Sequence, residues 1–170
     1  MNFMELAKAR YSVRKFAPTP VTPEKLNIVL EAARVAPSAK NLQPVHIYVV
    51  QSQEEMAKMR ELTPCHYGAP MVLIFAKNIQ EEWRHPQEDL RSGAEDVAIA
   101  VTHAMLAATD VGLGSCWVKF FVPQEVARAY NLPAHIVPVA LLPIGYAAAD
   151  AAPADRHTQR KDLKELVTYL

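Results

Sequence analysis

Apolar and polar positions follow two rhythms along the chain, and the switches between them mark out its elements. Met71-Val72-Leu73-Ile74-Phe75-Ala76 is apolar at every position and lies between Pro70 and Asn78, the pattern of a short strand covered on both faces. It is expected to be the central strand. Val45, Ile47 and Val49 instead fall at every second position, as on a strand with one buried face. Val137 to Ile144 forms a third apolar strand, and its Pro138 and Pro143 suit an edge or the strand ends. The helical period appears at Leu26, Val29, Leu30 and Ala33, and again at Val97, Val101, Ala104, Ala108 and Val111 within a helix running from about Asp89 to Asp110. There Ile99, Met105 and Leu106 make the other faces apolar too. Such a helix is expected to be buried by the sheet on one side and by a second subunit on another.

Start and stop signals set the boundaries. Asn2 followed by Glu5 forms a capping box for a helix over Phe3 to Ala9. Thr22-Pro23-Glu24 supplies a cap, a proline at the first helical position and an acid in the first turn. Ser52 with Glu55 opens a helix whose core positions are Met56 and Met59, Val122-Pro123-Gln124-Glu125 opens another, and Gly112 suits the end of the long one. Gly112 to Lys119 then turns into a strand, with glycines that allow close backbone approach. Lys77 to Glu88 is polar and reads as a loop or short lid carrying Trp83. The segment Pro37-Ser38-Ala39-Lys40-Asn41-Leu42-Gln43-Pro44 is small, polar and irregular. It is either a plain helix-to-strand connection or a place where a ligand approaches closely. Ala147 to Asp155 reads as an extended crossing. The tail beyond it, with Leu163, Leu166 and Val167, is expected to dock on a body, its own or its partner's.

Composition narrows the picture. The chain has 170 residues, 51% apolar and 21% charged, which predicts one folded domain over 1–170 able to remove roughly two thirds of its unfolded surface from water. Lys plus Arg and Asp plus Glu are 18 each, so no long-range field points to nucleic acid or an anionic membrane, and a small, locally recognised ligand is expected. Cys65 and Cys116 are the only cysteines and lack metal-site spacing. They read as reduced thiols of a soluble cytoplasmic protein, Cys116 as a small buried hydrophobe. No apolar run approaches the roughly 20 residues of a spanning helix.

The candidate chemistry begins at Arg10-Tyr11-Ser12-Val13-Arg14-Lys15-Phe16. In an extended segment alternate residues point the same way, so Arg10, Ser12 and Arg14 can converge on one ligand while Tyr11, Val13 and Phe16 pack inward. Two guanidinium forks around a hydroxyl suit a phosphate. The same cations also suit a solvated helix end. Asp96 and His103 are polar residues on a buried helix that need partners, and neither is assigned a catalytic role.

Four stretches in order, Arg10 to Phe16, Ala36 to Pro44, Gly112 to Val118, and Pro143-Ile144-Gly145-Tyr146 with the Arg160 to Tyr169 tail, resemble the short form of the FMN-dependent nitroreductase family, across essentially the whole chain. The resemblance implies an α+β fold, with a central, mostly antiparallel sheet flanked by helices. It also implies a domain-swapped homodimer with FMN at the interface and residues 147–170 docked on the partner subunit. By position, Arg10 and Ser12 would hold phosphate and ribityl oxygens and Arg14 the N1 and O2 edge of the flavin, while Pro37, Ser38, Ala39 and Asn41 would cover the ring from the other subunit. The backbone of Trp117, Val118 and Lys119 would lie near flavin N5, and Arg156 or Arg160 would complete the phosphate site. The implied activity is NADH- or NADPH-dependent reduction of nitroaromatic, quinone or similar electron-poor acceptors, by ping-pong hydride transfer through N5. The chain itself would supply no nucleophile, and Arg14 would be the electrostatic stabiliser. A flavin-binding protein that buffers FMN or senses redox state without turnover is the other reading. Val45, Ala147 and Thr168-Tyr169 depart from the family pattern and bear on the substrate and tail details.

Overall fold

In the computed structural model, which describes residues 1–170, the helices are α1 (Phe3–Ala9), α2 (Pro23–Arg34), α3 (Gln53–Leu62), α4 (Gly93–Asp110), α5 (Pro123–Ala129) and α6 (Leu163–Leu166). The strands are β1 (Val45–Val50), β2 (Met71–Asn78), β3 (Gly114–Ser115) and β4 (Ile136–Gly145). The strands form one antiparallel sheet in the order β1-β2-β4-β3. This is the expected α+β architecture.

The uninterrupted apolar run of β2 is explained by its two covered faces. Met71, Leu73 and Phe75 join Ala140, Leu142 and Ile144 of β4 against Val29 and Ala33 of α2 and Val97, Val101, Ala104 and Ala108 of α4. Val72, Ile74 and Leu141 point the other way, onto Met56 and Met59 of α3 and Val126 of α5. Full burial of each large side chain contributes about 1.5–3 kcal/mol, so this helix–sheet–helix sandwich carries most of the folding drive. Asn2 caps α1 through a complete capping box, and Thr22 caps α2 ahead of Pro23, as expected. At α3 only half of the box forms: Ser52 accepts from the Glu55 N–H at 3.2 Å, while the Glu55 carboxylate turns to Lys58 at 2.7 Å.

Two boundaries differ from the sequence reading. Helix α4 begins at Gly93 rather than near Asp89, because the preceding residues fold back as a hairpin in which the His85 N–H donates to the Leu90 carbonyl and the Ser92 N–H to that of Trp83. Strand β4 is internal, so of the two places read for Pro138 and Pro143 the edge is excluded, and both stand near the strand's ends. Pro138 sits opposite Ala76, at a register shift between Phe75 and Ala76. Pro143 turns the side lacking an N–H toward β3, which is two residues long, and its carbonyl accepts from the Cys116 N–H at 3.2 Å. The strand expected after Gly112 is likewise reduced to β3 plus one isolated bridge between Val118 and Leu141.

Candidate functional site

Segment 10–17 lies along the short edge of the sheet. Ser12 bridges Ser115, the Val13 N–H donates to the Ser115 carbonyl at 3.0 Å, and the Ala17 N–H donates to that of Tyr146 at 2.8 Å. Val13 and Phe16 are buried and anchor it. Gly114 is what allows this approach, since a Cβ there would stand 2.5 Å from Val13 Cγ2. The alternation then turns Arg10, Ser12 and Arg14 to the opposite side. Tyr11 follows the inward pattern only in part: it packs against the Val13–Phe16 cluster, yet it is half-buried, stands edge-on to His157 with ring centroids 6.2 Å apart, and also lines the crevice.

The other wall comes from the far end of the chain. The Ala148 N–H donates to the Lys15 carbonyl at 3.0 Å, Lys15 pairs with Asp150, and His157 Nε2 lies 3.2 Å from the Lys8 carbonyl. Residues 147–157 are therefore tied to their own chain, whereas residues 158–170 are exposed throughout. The two ends enclose a crevice of about 570 Å³ into which Arg10, Ser12, Arg14, Arg156, His157 and Arg160 face. Four guanidinium groups and no carboxylate line it. Like charges around one void favour an anion there, and planar forks with a hydroxyl match the oxygens of a phosphate. Both Arg156 and Arg160 reach the crevice, and His157 between them is a residue the sequence reading missed; only its position among those tail cations pointed to it.

The remaining expected residues lie elsewhere. Pro37, Ser38, Ala39 and Asn41 form the α2–β1 loop and do not line the crevice. Val118 is buried, and its N–H donates to the Leu141 carbonyl at 2.9 Å. The backbone N–H groups of Trp117 and Lys119, on either side, have no acceptor within the chain. Lys119 Nζ donates to the Val139 carbonyl at 2.7 Å. Trp83 is half-buried, with its N–H on Ser92 Oγ and its ring edge-on to His85, and it stays out of the crevice. Cys116 is 3% exposed, and burial pushes its thiol pKa up. No group of three or more His, Cys, Asp or Glu side chains is placed to hold a metal ion, and no helix is long and apolar enough to cross a membrane.

Fold and crevice together define an antiparallel α+β protein with a cationic crevice built from both ends of its chain. The model of the Nitroreductase family matches residues 7–67 and 63–146. The FMN reductase [NAD(P)H] of Bacillus subtilis is 30% identical over 172 residues, covering 91% of this chain and 67% of that protein. The crystal structure of a nitroreductase family protein from Clostridium difficile is 35% identical and superposes with a TM-score of 0.93 over 99% of this chain and 98% of the other. A nitroreductase-fold structure from Exiguobacterium sibiricum, in complex with FMN, shares the fold at a TM-score of 0.86 and 21% identity, over 100% of this chain and 98% of its own. The chain belongs to the nitroreductase family.

Proposed function

We propose that this chain is an FMN-dependent NAD(P)H oxidoreductase that works as a homodimer and reduces nitroaromatic, quinone or similar electron-poor acceptors. The observation that carries the cofactor assignment is the convergence of Arg10, Arg14, Arg156 and Arg160, with the Ser12 hydroxyl, on one crevice free of carboxylates. Three of these guanidinium groups are enough to offset a phosphate of charge about −2, and the hydroxyl and forks supply donors to its oxygens. Bound FMN would supply the hydride-transfer chemistry between a nicotinamide and the acceptor, so no protein nucleophile is needed. Arg10, Arg156 and Arg160 hold the phosphate, with Ser12 beside them on phosphate or ribityl oxygen. Arg14, on the same crevice, would sit at the pyrimidine edge and stabilise negative charge there. The free N–H groups of Trp117 and Lys119 are the donors available to flavin N5. Pro37, Ser38, Ala39 and Asn41 cover the ring from the neighbouring subunit.

Surface area supports the dimer. The single chain exposes 10370 Å², against about 8300 Å² expected for a compact monomer of its mass. Part of the excess is apolar: Phe3, Met4, Ile28, Leu163 and Leu166 are each about half exposed or more, surface that a subunit interface would cover. Residues 158–170 are the segment that reaches the partner.

An absorbance spectrum of the purified protein tests the function. Flavin bands are expected, bleached by anaerobic NADH or NADPH and restored by a quinone or nitroaromatic acceptor. Colourless protein that takes up no FMN removes the proposal. Flavin that binds but is never reduced leaves a binding protein in place of an enzyme.

A further inference from the structure

Asp96, in the first turn of α4, is 3% exposed, and both carboxylate oxygens have assigned partners. Oδ1 accepts the Ala39 N–H at 2.9 Å and Oδ2 accepts the Ser92 hydroxyl at 2.7 Å. Ser92 Oγ in turn accepts the Trp83 N–H at 3.2 Å, which fixes the hydroxyl with its proton toward Asp96. The carboxylate is therefore held by the hairpin before α4 and reaches across to the α2–β1 loop. That loop needs holding. Lys40, Asn41 and Gln43 stand at φ 51, 55 and 54, in the left-handed region that residues other than glycine seldom adopt. Within the loop, Ser38 Oγ accepts the Gln43 N–H at 3.0 Å, the Ser38 carbonyl accepts the Asn41 N–H at 2.9 Å, and the Ala39 carbonyl accepts the Leu42 N–H at 3.1 Å. These three lead back to Ser38 or Ala39, and the fourth bond within the loop runs from Gln43 Nε2 to the Asn41 carbonyl at 3.2 Å. The Ala39–Asp96 bond is the only hydrogen bond joining residues 37–43 to a residue outside the α2–β1 connection.

We infer that Asp96 is a positioning residue for the cofactor: it pins the strained α2–β1 loop at Ala39, and so sets the surface that Pro37, Ser38, Ala39 and Asn41 present to the flavin ring. This rests on the function proposed above, in which that loop covers FMN held by the partner's arginines. Asp96 does not line the crevice and makes no hydrogen bond to a residue that does; its side-chain partners are Ala39 in the loop and Ser92 in the hairpin, so it reaches the flavin surface through the loop. Removing the carboxylate leaves the Ala39 N–H without its acceptor and the left-handed residues without their anchor. The loop then samples other conformations, and bound flavin must reorder it.

The test compares Asp96→Ala and Asp96→Asn with the unaltered protein in two measurements: amide hydrogen exchange over residues 38–43 in FMN-free protein, and FMN affinity by fluorescence titration. In Asp96→Ala, exchange over the loop and the Kd for FMN are both expected to rise about 10- to 100-fold, the loss of a charge-assisted bond. Asp96→Asn keeps an acceptor for Ala39 and is expected to stay within about 3-fold on both. Should the alanine variant not fold, Ser92→Ala, which leaves the carboxylate with one partner, is read in the same way with smaller rises. Unchanged loop exchange overturns the inference. So does faster exchange with an FMN Kd within twofold of the unaltered protein. Failure of the unaltered protein itself to take up FMN is a different result, and overturns the proposed function together with the positioning role.

Discussion

The placement of Arg10, Ser12 and Arg14 rests in part on a close approach between Val13 and Gly114, and that approach can be measured. A Cβ at position 114 would stand 2.5 Å from Val13 Cγ2 and 3.0 Å from Val13 Cβ, well inside van der Waals contact. Overpacking of this kind costs about 1–3 kcal/mol. The stiffer unfolded chain of an alanine returns roughly 0.4–1 kcal/mol, so Gly114→Ala is expected to lose about 1–2 kcal/mol. Val13 is 1% exposed, and Val13→Ala alone is expected to cost about 2–3 kcal/mol from lost burial and the cavity left behind. The double variant should lose about 1–2 kcal/mol less than the two single losses together, because the cavity accepts the new methyl group. Urea unfolding followed by tryptophan fluorescence at one fixed protein concentration reads all three. Gly68→Ala serves as the contrast: its φ is +73 with nothing within 4 Å of the new Cβ, so its cost is conformational and Val13→Ala should not relieve it. Losses at 114 and 13 that add within about 0.5 kcal/mol would refute the close-approach argument, as would a fully stable Gly114→Ala protein.

Arg10→Ala, Arg156→Ala and Arg160→Ala should each weaken FMN binding about 10- to 100-fold, the usual loss for a charge-assisted contact, and salt should weaken binding by the unaltered protein more than by the variants, as equilibrium dialysis would show. A thiol reagent should titrate the half-buried Cys65 in the native protein and reach Cys116 only after denaturation, because Cys116 is 3% exposed and burial raises its pKa. The Tyr130 hydroxyl donates to the Glu55 carbonyl at 2.9 Å, and burial pushes its pKa up to about 12. The folded state then holds a proton that the unfolded state releases near pH 10, so this stabilisation is intact below about pH 10 and lost as the pH rises toward 12. Tyr130→Phe should remove that fall from the stability profile, measured by urea midpoints across the range.

What was legible in the sequence follows how local each signal is. The β2 run could be read as central because six consecutive apolar positions cannot be buried by one face of a sheet. The caps of α1 and α2 could be read because capping joins residues three apart. The start of α4 could not, since the residues that delay it are held by a hairpin whose bonds join positions five to nine apart. Nor could the internal place of β4: proline marks a missing donor, and only the sheet shows whether a bulge or a short neighbouring strand absorbs it. Arg10, Ser12 and Arg14 were legible as a group through their alternation. The loop residues Pro37 to Asn41 and the Trp117 to Lys119 backbone were placed by resemblance, and in the single chain they stand apart from the crevice.

By itself, the order of residues determined where the main helices and strands run, which of their faces are apolar, and that cations are gathered near both ends of a chain with no net charge. Periodicity and capping are short-range, so they survive in one dimension. Tertiary structure alone decided that Arg10 and Arg14 meet Arg156 and Arg160, that His157 joins them, and that Asp96 reaches Ala39. Those pairings close loops of more than fifty residues. Their partners are chosen by how the sheet and helices stack around a common core, which no local pattern encodes.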